Sequence, residues 1–248
     1  MTPRPHPSRA YTLGIITGSG PEAGLDLWAK ILRHTQALMG PGFRGDLDAP
    51  RLVAVSEPAL GLSMDLKANE AAVWAAMERT VREIATRVDA FAIACNTLNW
   101  YAPRIDALLA DMPGAGQLVS FQGVLHDEIR QSGAGRVGLL GAAPVVALDD
   151  HSAYAGLAAH VAIETPADPD RLQTLIHDVK RLGGAHASLG PRLEEIIIQM
   201  EADTILLACT ELPLIARPVA GRRLIDVTDA VAARLAALAL GHAGMKAA

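Results

Sequence analysis

The sequence predicts an α/β protein made of two similar halves, each with a mainly parallel sheet. Short apolar runs rich in Val, Ile and Leu alternate with longer amphipathic stretches, which is typical of β-α units that feed such a sheet. A faint internal repeat indicates the two halves: Thr12–Gly18 resembles Arg136–Gly141, and each is followed later by an apolar run that ends in Ala-Cys. With 248 residues the chain can bury one large core or two smaller ones, since domains usually run to ~100–150 residues.

The strands are predicted at the apolar runs, and a glycine directly follows the opening strand of each half. In chain order they are Tyr11–Thr17, Arg51–Ser56, Ala90–Ala94, Gln117–Ser120, Arg136–Leu140, His160–Glu164 and Thr204–Ala208.

The amphipathic stretches between the strands are predicted to be helices, and Pro21 marks the start of the first one because proline suits the first helical position. The stretch Gly40–Pro50 is predicted to be a surface loop, and Met1–Ala10 a loose tail. The helices are Pro21–Met39, Asn69–Arg87, Ala102–Leu109, Phe121–Ser132, Ala147–Leu157, Pro169–Leu182, Ala187–Met200 and Thr228–Leu240.

The boundary between the halves is predicted at Met112–Gly116, a stretch of Met, Pro, Gly and Ala. A second crossing near Arg217–Asp226 would return the last helix to the first half. The first domain is therefore predicted to comprise residues 1–116 and 226–248, and the second domain residues 117–225.

Composition excludes several classes of function. The formal net charge is −5, and no basic stripe is present, which argues against a nucleic-acid partner. The apolar runs are far shorter than the ~20 residues that a membrane span needs, and the N-terminus lacks the apolar region of a secretory signal, so a cytoplasmic location is expected. The only two cysteines are not in C-x-x-C spacing, so a structural zinc site and a disulfide are not expected.

Cys95 and Cys209 are the strongest candidates for chemistry. Each follows an apolar strand and is predicted at the carboxyl edge of its sheet, where ligands bind in α/β proteins. If the halves face one another, one thiol could take a proton from one face of a carbon while the other delivers a proton to the opposite face. The segments Asn96-Thr97 and Thr210-Glu211 could cap the following turns or hold a thiolate. Alternatively, each cysteine is a buried packing residue, as free cysteines commonly are.

The turn Thr17–Glu22 contains a second candidate site at Gly18, Ser19 and Gly20. Two glycines allow backbone amides to approach an anion, so a substrate carboxylate could bind there with the Ser19 hydroxyl as a further donor. Alternatively, the segment is only a tight turn. A dinucleotide site is disfavoured, because Gly24 comes one residue late and no ribose-binding acid follows at the usual distance.

Three motifs make the sequence resemble the aspartate/glutamate racemase superfamily over nearly the whole chain. They are Gly14–Ala23, Ala94–Thr97 and Ala208–Pro213. The Glu after Cys-Thr resembles the aspartate racemase branch. The resemblance implies two similar Rossmann-like domains with mainly parallel sheets, related by a pseudo-twofold axis, with the active site in the cleft between them.

The resemblance also implies a function and a set of site residues. It implies a homodimer that acts on a small carboxylate or amino acid without pyridoxal phosphate, nucleotide or metal. Cys95 and Cys209 would be the two catalytic acid/base residues. Lys180, which alone would be interpreted as a solvated cation at a helix end, would approach a distal carboxylate. The substrate-binding residues would be Gly18, Ser19, Gly20, Asn96, Thr97, Lys180, Thr210 and Glu211.

The sequence departs from the family pattern at several positions. Thr17 replaces a usual Gly, Gly24 replaces a usual Thr, and Leu98-Asn99 replaces a frequent Ala-His. The turn Gly141–Pro144 lacks a threonine that holds the substrate carboxylate, and Glu57–Leu66 lacks the arginine of aspartate-specific members. These changes affect the expected substrate more than the expected reaction.

The predicted function is racemisation of aspartate or a related amino acid by proton transfer between the two cysteines. Sister activities of the superfamily are the alternatives: hydantoin racemisation, maleate isomerisation and malonate decarboxylation. A non-catalytic protein that binds small acids is a further alternative of a different class.

Overall fold

The computed structural model of the chain describes residues 11–20 and 22–241. The predicted tail Met1–Ala10, the helix start predicted at Pro21, and residues 242–248 of the predicted first domain lie outside the described residues.

Two four-stranded, all-parallel sheets form the framework. The first has the strand order β2-β1-β3-β4 and the second the order β6-β5-β7-β8, so the two sheets repeat one topology. The prediction of an α/β fold with two parallel sheets is therefore confirmed. The strands are Thr12–Thr17 (β1), Arg51–Ser56 (β2), Ala90–Ile93 (β3), Gln117–Leu118 (β4), Arg136–Gly141 (β5), Ala162–Glu164 (β6), Thr204–Ala208 (β7) and Arg223–Asp226 (β8).

Helices cover both faces of each sheet. The α-helices are Ala23–Met39 (α1), Leu66–Ala85 (α2), Ala102–Ala110 (α3), Phe121–Ser132 (α4), Ala143–Val146 (α5), Pro169–Leu182 (α6), Leu189–Ile198 (α7), Leu212–Ile215 (α8) and Val227–Ala239 (α9). Short 3-10 helices occupy Gly40–Gly42, Gly45–Leu47, Pro58–Asp65, Thr97–Tyr101 and Ala155–Ala159.

The helix predicted at Ala147–Leu157 is wrong. Leu148 has a φ of 52°, in the left-handed region that ends a helix. The Asp149 carboxylate then accepts a hydrogen bond from the His151 amide at 2.9 Å, and the Ser152 hydroxyl donates to the Val145 carbonyl at 2.8 Å. These side chains offer the backbone a turn in place of a helix.

Both edges of the predicted second half differ from expectation. The strand β8 lies in the segment that was predicted only as a crossing. Its sequence does not indicate a strand, because it is a short edge strand with a charged residue at each end. The strand β4 pairs with β3 in the first sheet, although its residues 117–118 follow the predicted boundary at 116. The division into domains remains a prediction.

The apolar core consists of three clusters, one of which fixes the two sheets relative to one another. One cluster joins inward residues of both sheets, such as Ile15 and Leu206, to helices α1, α4 and α9. The outer faces pack separately, Ile16 with α2 and α3 and Leu207 with α6 and α7. Strands buried on both faces explain the nearly continuous apolar runs in the sequence. Because one core is shared, the carboxyl ends of the two sheets have a fixed separation.

Candidate active site

The first cysteine turn follows β3. The Asn99 side chain, which is fully buried, holds this turn by donating from Nδ2 to the Cys95 carbonyl at 2.8 Å and to the Ile93 carbonyl at 3.3 Å. Its Oδ1 accepts from the Phe121 amide at 2.8 Å. Asn99, one of the departures from the family pattern, therefore forms the turn that carries Cys95. The Cys95 side chain is partly exposed.

The second cysteine turn follows β7 and lies against the first. Thr210 donates from Oγ1 to the carbonyl of Ala94 at 3.4 Å, so the end of β7 meets the residue that precedes Cys95. The Leu212 amide donates to the carbonyl of Cys209 at 3.0 Å and closes the turn into α8. Cys209 is buried. The two predicted cysteine turns are thus neighbours although they lie far apart in sequence.

Both sulfurs act electrostatically on the same two groups. Burial raises the pKa of the Tyr154 phenol, and negative charge on Cys95 and on Cys209 raises it further. Burial tends to lower the pKa of Lys180, but the charges of Glu211, Cys209 and Cys95 together leave it above its ordinary value. Because the pKa values of one phenol and one ammonium group both depend on the two thiols, these four groups lie near one another and border one site.

Glu211 links Cys209 to Lys180. Its Oε2 accepts from the Cys209 Sγ at 3.0 Å, and its Oε1 accepts from the Lys180 Nζ at 2.6 Å. Burial raises the pKa of Cys209 well above its ordinary value, and the negative charge of Glu211 raises it further, while Lys180 acts in the opposite direction. Cys209 therefore rests as a thiol that donates to a carboxylate. Glu211 and Lys180 were predicted to contact substrate, and in this structure they contact each other.

The glycine-rich turn packs tightly against this ion pair. The carbonyl of Ser19 accepts from Lys180 Nζ. A Cβ at Gly20 would lie 1.9 Å from Glu211 Oε1, so only glycine allows this approach. Gly18 has a φ of +118°, and a Cβ there would lie 2.2 Å from the Glu57 carbonyl oxygen. The three predicted residues thus lie at the site, where they form its wall.

Two departures from the family pattern compensate each other in this turn. A Cβ at Gly24 would lie 2.7 Å from the Cβ and the Oγ1 of Thr17. The Thr17 side chain therefore occupies the space that a side chain at Gly24 would need. The exchange keeps the volume between β1 and α1 filled.

Asn96 and Thr97 follow Cys95 and are both buried. The Oδ1 of Asn96 accepts from the Tyr154 hydroxyl at 2.5 Å. Its Nδ2 has no hydrogen-bond partner within residues 11–20 and 22–241. Thr97 begins the 3-10 helix Thr97–Tyr101 beside it. A buried amide donor without a partner is uncommon and indicates a place for a ligand oxygen or a water molecule.

Sequence reasoning missed two residues of the site. Tyr154 was assigned to a helix, and the turn-forming Asp149 and Ser152 before it were the signal against that helix. Glu22 accepts from the Gly184 amide at 2.7 Å and joins the start of α1 to the end of α6. It also lines a cavity of about 130 Å³ together with Val179, Lys180, Gly183, Glu211 and Leu214.

In the described part of the chain, no group of three or more His, Cys, Asp or Glu side chains is placed to hold a metal ion. None of the helices within residues 11–20 and 22–241 has the length and apolar character needed to cross a membrane.

Known structures with the same fold include racemases and an isomerase. The aspartate racemase of Picrophilus torridus superposes with a TM-score of 0.74 at 24% identity, over 92% of this chain and 94% of that chain. The glutamate racemase of Campylobacter jejuni subsp. jejuni gives 0.57 at 18% identity, over 89% and 82%. The maleate isomerase Iso of Pseudomonas putida S16 gives 0.57 at 18%, over 93% of each chain. At these identities the similarity establishes the fold.

The sequence itself matches a family described as Asp/Glu/Hydantoin racemase over residues 16–235. That span contains both cysteine turns, Lys180 and Tyr154. The chain therefore belongs to the Asp/Glu/Hydantoin racemase family.

Proposed function

We propose that the protein is a cofactor-independent racemase of aspartate or a related amino acid, with Cys95 and Cys209 as opposed acid and base. The observation that carries this proposal is the meeting of two cysteine turns from equivalent strands, through the hydrogen bond from Thr210 to Ala94. Both thiols also act on the same phenol, that of Tyr154. Membership of a family of racemases supports the reaction class.

The reaction removes the α-proton from one face of the α-carbon and delivers a proton to the opposite face. The base cysteine, as a thiolate, takes the α-hydrogen as a proton, and the electron pair of the C–H bond stays on the carbon as a carbanion. The acid cysteine then donates its proton to the opposite face, and a new C–H bond forms with inverted configuration. The two cysteines end with exchanged protonation states. Since Cys209 rests as a thiol, we expect Cys209 to act first as the acid.

The Asn96 amide supports binding of the substrate carboxylate. Its Nδ2 is a buried donor without a partner among the described residues, and it directly follows the cysteine that borders the site. A carboxylate oxygen would satisfy it with a charge-assisted hydrogen bond. Thr97 and Thr210, both buried beside the cysteines, are the further candidates for contacts with the carboxylate or the amine.

The substrate side chain is less constrained than the reaction. Lys180 is the cation proposed to meet a distal carboxylate, and it is already paired with Glu211 at 2.6 Å. The segment Pro58–Asp65 forms a 3-10 helix without an Arg or Lys. Family resemblance makes aspartate the leading substrate. Because Lys180 is already paired with Glu211, amino acids with a neutral side chain are also included in the test.

The proposal is tested by exchange of the α-hydrogen in heavy water. The protein is incubated with L-aspartate, L-glutamate, L-asparagine or L-alanine, loss of the α-proton is followed by NMR, and both enantiomers are measured by chiral chromatography. We expect exchange and racemisation of at least one amino acid. The near-isosteric variants C95S and C209S should each lower racemisation by ~10²–10⁴-fold, because each removes one acid/base group.

Two results would contradict the proposal. Racemisation that persists in both single variants excludes the two-cysteine mechanism. Absence of exchange with all four amino acids contradicts the proposed racemase. The sister activities are then the alternatives, and one known protein with this fold is the maleate isomerase Iso. Maleate, a hydantoin and malonate, assayed in parallel, distinguish those activities, and binding of an acid without turnover identifies a non-catalytic binding protein.

We further propose that the protein acts in the cytoplasm as a homodimer. Its two cysteines are free, as suits a reducing compartment. Leu25 and Trp28 lie about one turn apart on α1 and are 66% and 40% exposed, which supports a contact with a second copy. Sedimentation of the wild-type protein and of a variant with Leu25→Glu and Trp28→Glu tests the dimer. We expect a dimeric wild type and a monomeric variant, and a monomeric wild type would contradict the proposal.

A further inference from the structure

Tyr154 connects the two halves of the site. It lies between α5 and β6 of the second half, and its hydroxyl reaches Asn96, which follows β3 of the first half. The turn around Ser152 fixes its backbone, because the Ser152 hydroxyl accepts from the Tyr154 amide at 3.2 Å and donates to the Val145 carbonyl at 2.8 Å. The Tyr154 side chain is 2% exposed. The Tyr154 ring is therefore fixed in place, and its hydroxyl contacts the side-chain amide of Asn96.

The Asn96 side chain has two chemically different ends. Its Oδ1 is an acceptor and lies 2.5 Å from the Tyr154 hydroxyl oxygen, while its Nδ2 is a donor without a partner in the described residues. Both ends are buried, since Asn96 is 2% exposed. A hydroxyl that donates to one end determines which end remains free.

The chemistry of the neighbours favours this orientation over the reversed one. Burial raises the pKa of Tyr154, and Cys95 and Cys209 raise it further when they are ionised, so its hydroxyl keeps its proton and can donate. In the reversed orientation the carbonyl oxygen of Asn96 would face the site, where a substrate carboxylate would meet it with repulsion. With the observed orientation the carboxylate meets an N–H group.

We propose that Tyr154 is a positioning residue: its hydroxyl fixes the Asn96 amide so that Nδ2 faces the substrate carboxylate. This inference rests on the proposed function, since it takes the carboxylate of an amino acid as the ligand. It assigns a role to a residue that touches Asn96 and leaves proton transfer to the cysteines. The second half of the protein thus determines how a donor of the first half is presented.

Tyr154→Phe tests the inference, and Tyr101→Phe is the matched control. Tyr101 is also buried, at 1% exposure, and its hydroxyl donates to the carbonyl of Glu70 at 3.0 Å. Both variants remove one hydroxyl from a buried ring and leave the ring in place. Only Tyr154→Phe frees the amide of Asn96. Thermal denaturation of both variants establishes that they fold.

Binding and kinetics are measured for the amino acid that the wild type racemises fastest among aspartate, glutamate, asparagine and alanine. We expect Tyr154→Phe to raise KM and the calorimetric Kd by roughly ten-fold or more, the effect of losing a hydrogen bond to a charged group. Its kcat should change much less, because the cysteines remain. Tyr101→Phe should change KM and Kd less than about two-fold.

A double-variant cycle separates positioning from general loosening. In an Asn96→Ala background the amide is absent, so adding Tyr154→Phe should leave Kd unchanged. A further loss of affinity in that background overturns the inference, and so does a Tyr154→Phe variant that behaves like Tyr101→Phe.

The two proposals fail in different ways. A wild type that binds at least one of the four amino acids but exchanges the α-hydrogen of none overturns the racemase, and the same binding cycle, run with the amino acid that binds, then decides the role of Tyr154. A wild type that neither exchanges nor binds any of the four amino acids overturns both.

Discussion

The two cysteine turns occupy equivalent places in two sheets of the same topology, yet their surroundings differ in kind. The Cys95 turn is held by the neutral amide of Asn99, and Cys95 is partly exposed. The Cys209 turn is held beside a buried ion pair, and Cys209 donates to Glu211. The sheet topology is repeated, whereas the electrostatics of the two turns differ. In the racemase proposed above, the two bases would therefore be unequal, even though the two substrates are mirror images.

The largest effect should follow loss of the cation at the Cys209 turn. Lys180→Met leaves the buried Glu211 carboxylate, 5% exposed, without its partner, which costs ~3–5 kcal/mol of unfolding free energy. Lys67→Met is the control, because Lys67 pairs with Asp149 at the same 2.6 Å but is 63% exposed, and there we expect a loss of ~0–1 kcal/mol. Urea denaturation measures both.

The ion pair can also be removed as a whole. The double variant Lys180→Met with Glu211→Gln should recover part of the stability lost by Lys180→Met alone, since no unpaired charge remains. Equal losses in Lys180→Met and Lys67→Met would show that the Cys209 turn does not depend on charge.

A smaller effect is expected at the Cys95 turn. Asn99→Leu keeps a similar volume but leaves the Phe121 amide and the Cys95 carbonyl without their partner, which costs ~1–3 kcal/mol. Because the amide is neutral, this loss should be the same at low and high salt. Denaturation at two salt concentrations provides the measurement. A loss that depends on salt would remove the distinction between the turns.

The third change alters the proton affinity of Cys209. Glu211→Gln removes the negative charge that, after burial, raises the pKa of Cys209, so that pKa should fall. The rate of alkylation by iodoacetamide against pH, in a Cys95→Ser background, reports Cys209 alone. The same substitution in a Cys209→Ser background should move the profile of Cys95 less. A Cys209 profile that stays in place or moves to higher pH would contradict the role of Glu211.

The raised pKa of Cys209 also has a consequence for stability against pH. A thiol whose folded-state pKa lies above its ordinary value of 9.0 favours folding below about pH 9, and that contribution declines as the pH rises from there. Glu211→Gln lowers the folded-state pKa of Cys209, so it should narrow the range of alkaline pH over which this contribution to stability declines. Denaturation at several alkaline pH values follows the change.

Sequence patterns predicted what local periodicity determines. The alternation of apolar runs and amphipathic stretches gave the parallel sheets, and the paired Ala-Cys endings gave both cysteine turns. Contacts that depend on distant residues were beyond it. The pairing of Lys180 with Glu211 spans 31 residues, and the bond from Tyr154 to Asn96 spans 58. The position of Tyr154 was not predicted, because turn-forming side chains outweighed a helical pattern in its segment. The strand β8 was not predicted, because short edge strands contain few apolar residues.

The exchange of bulk between Thr17 and Gly24 means that neither position can be interpreted alone. A motif search that scores each position separately counts two defects where the protein has one compensated swap. Restoring threonine at residue 24 while keeping Thr17 would create a clash, so substitutions at these two positions should be tested together. A path between the two versions of this turn that avoids the clash passes through glycine at both positions.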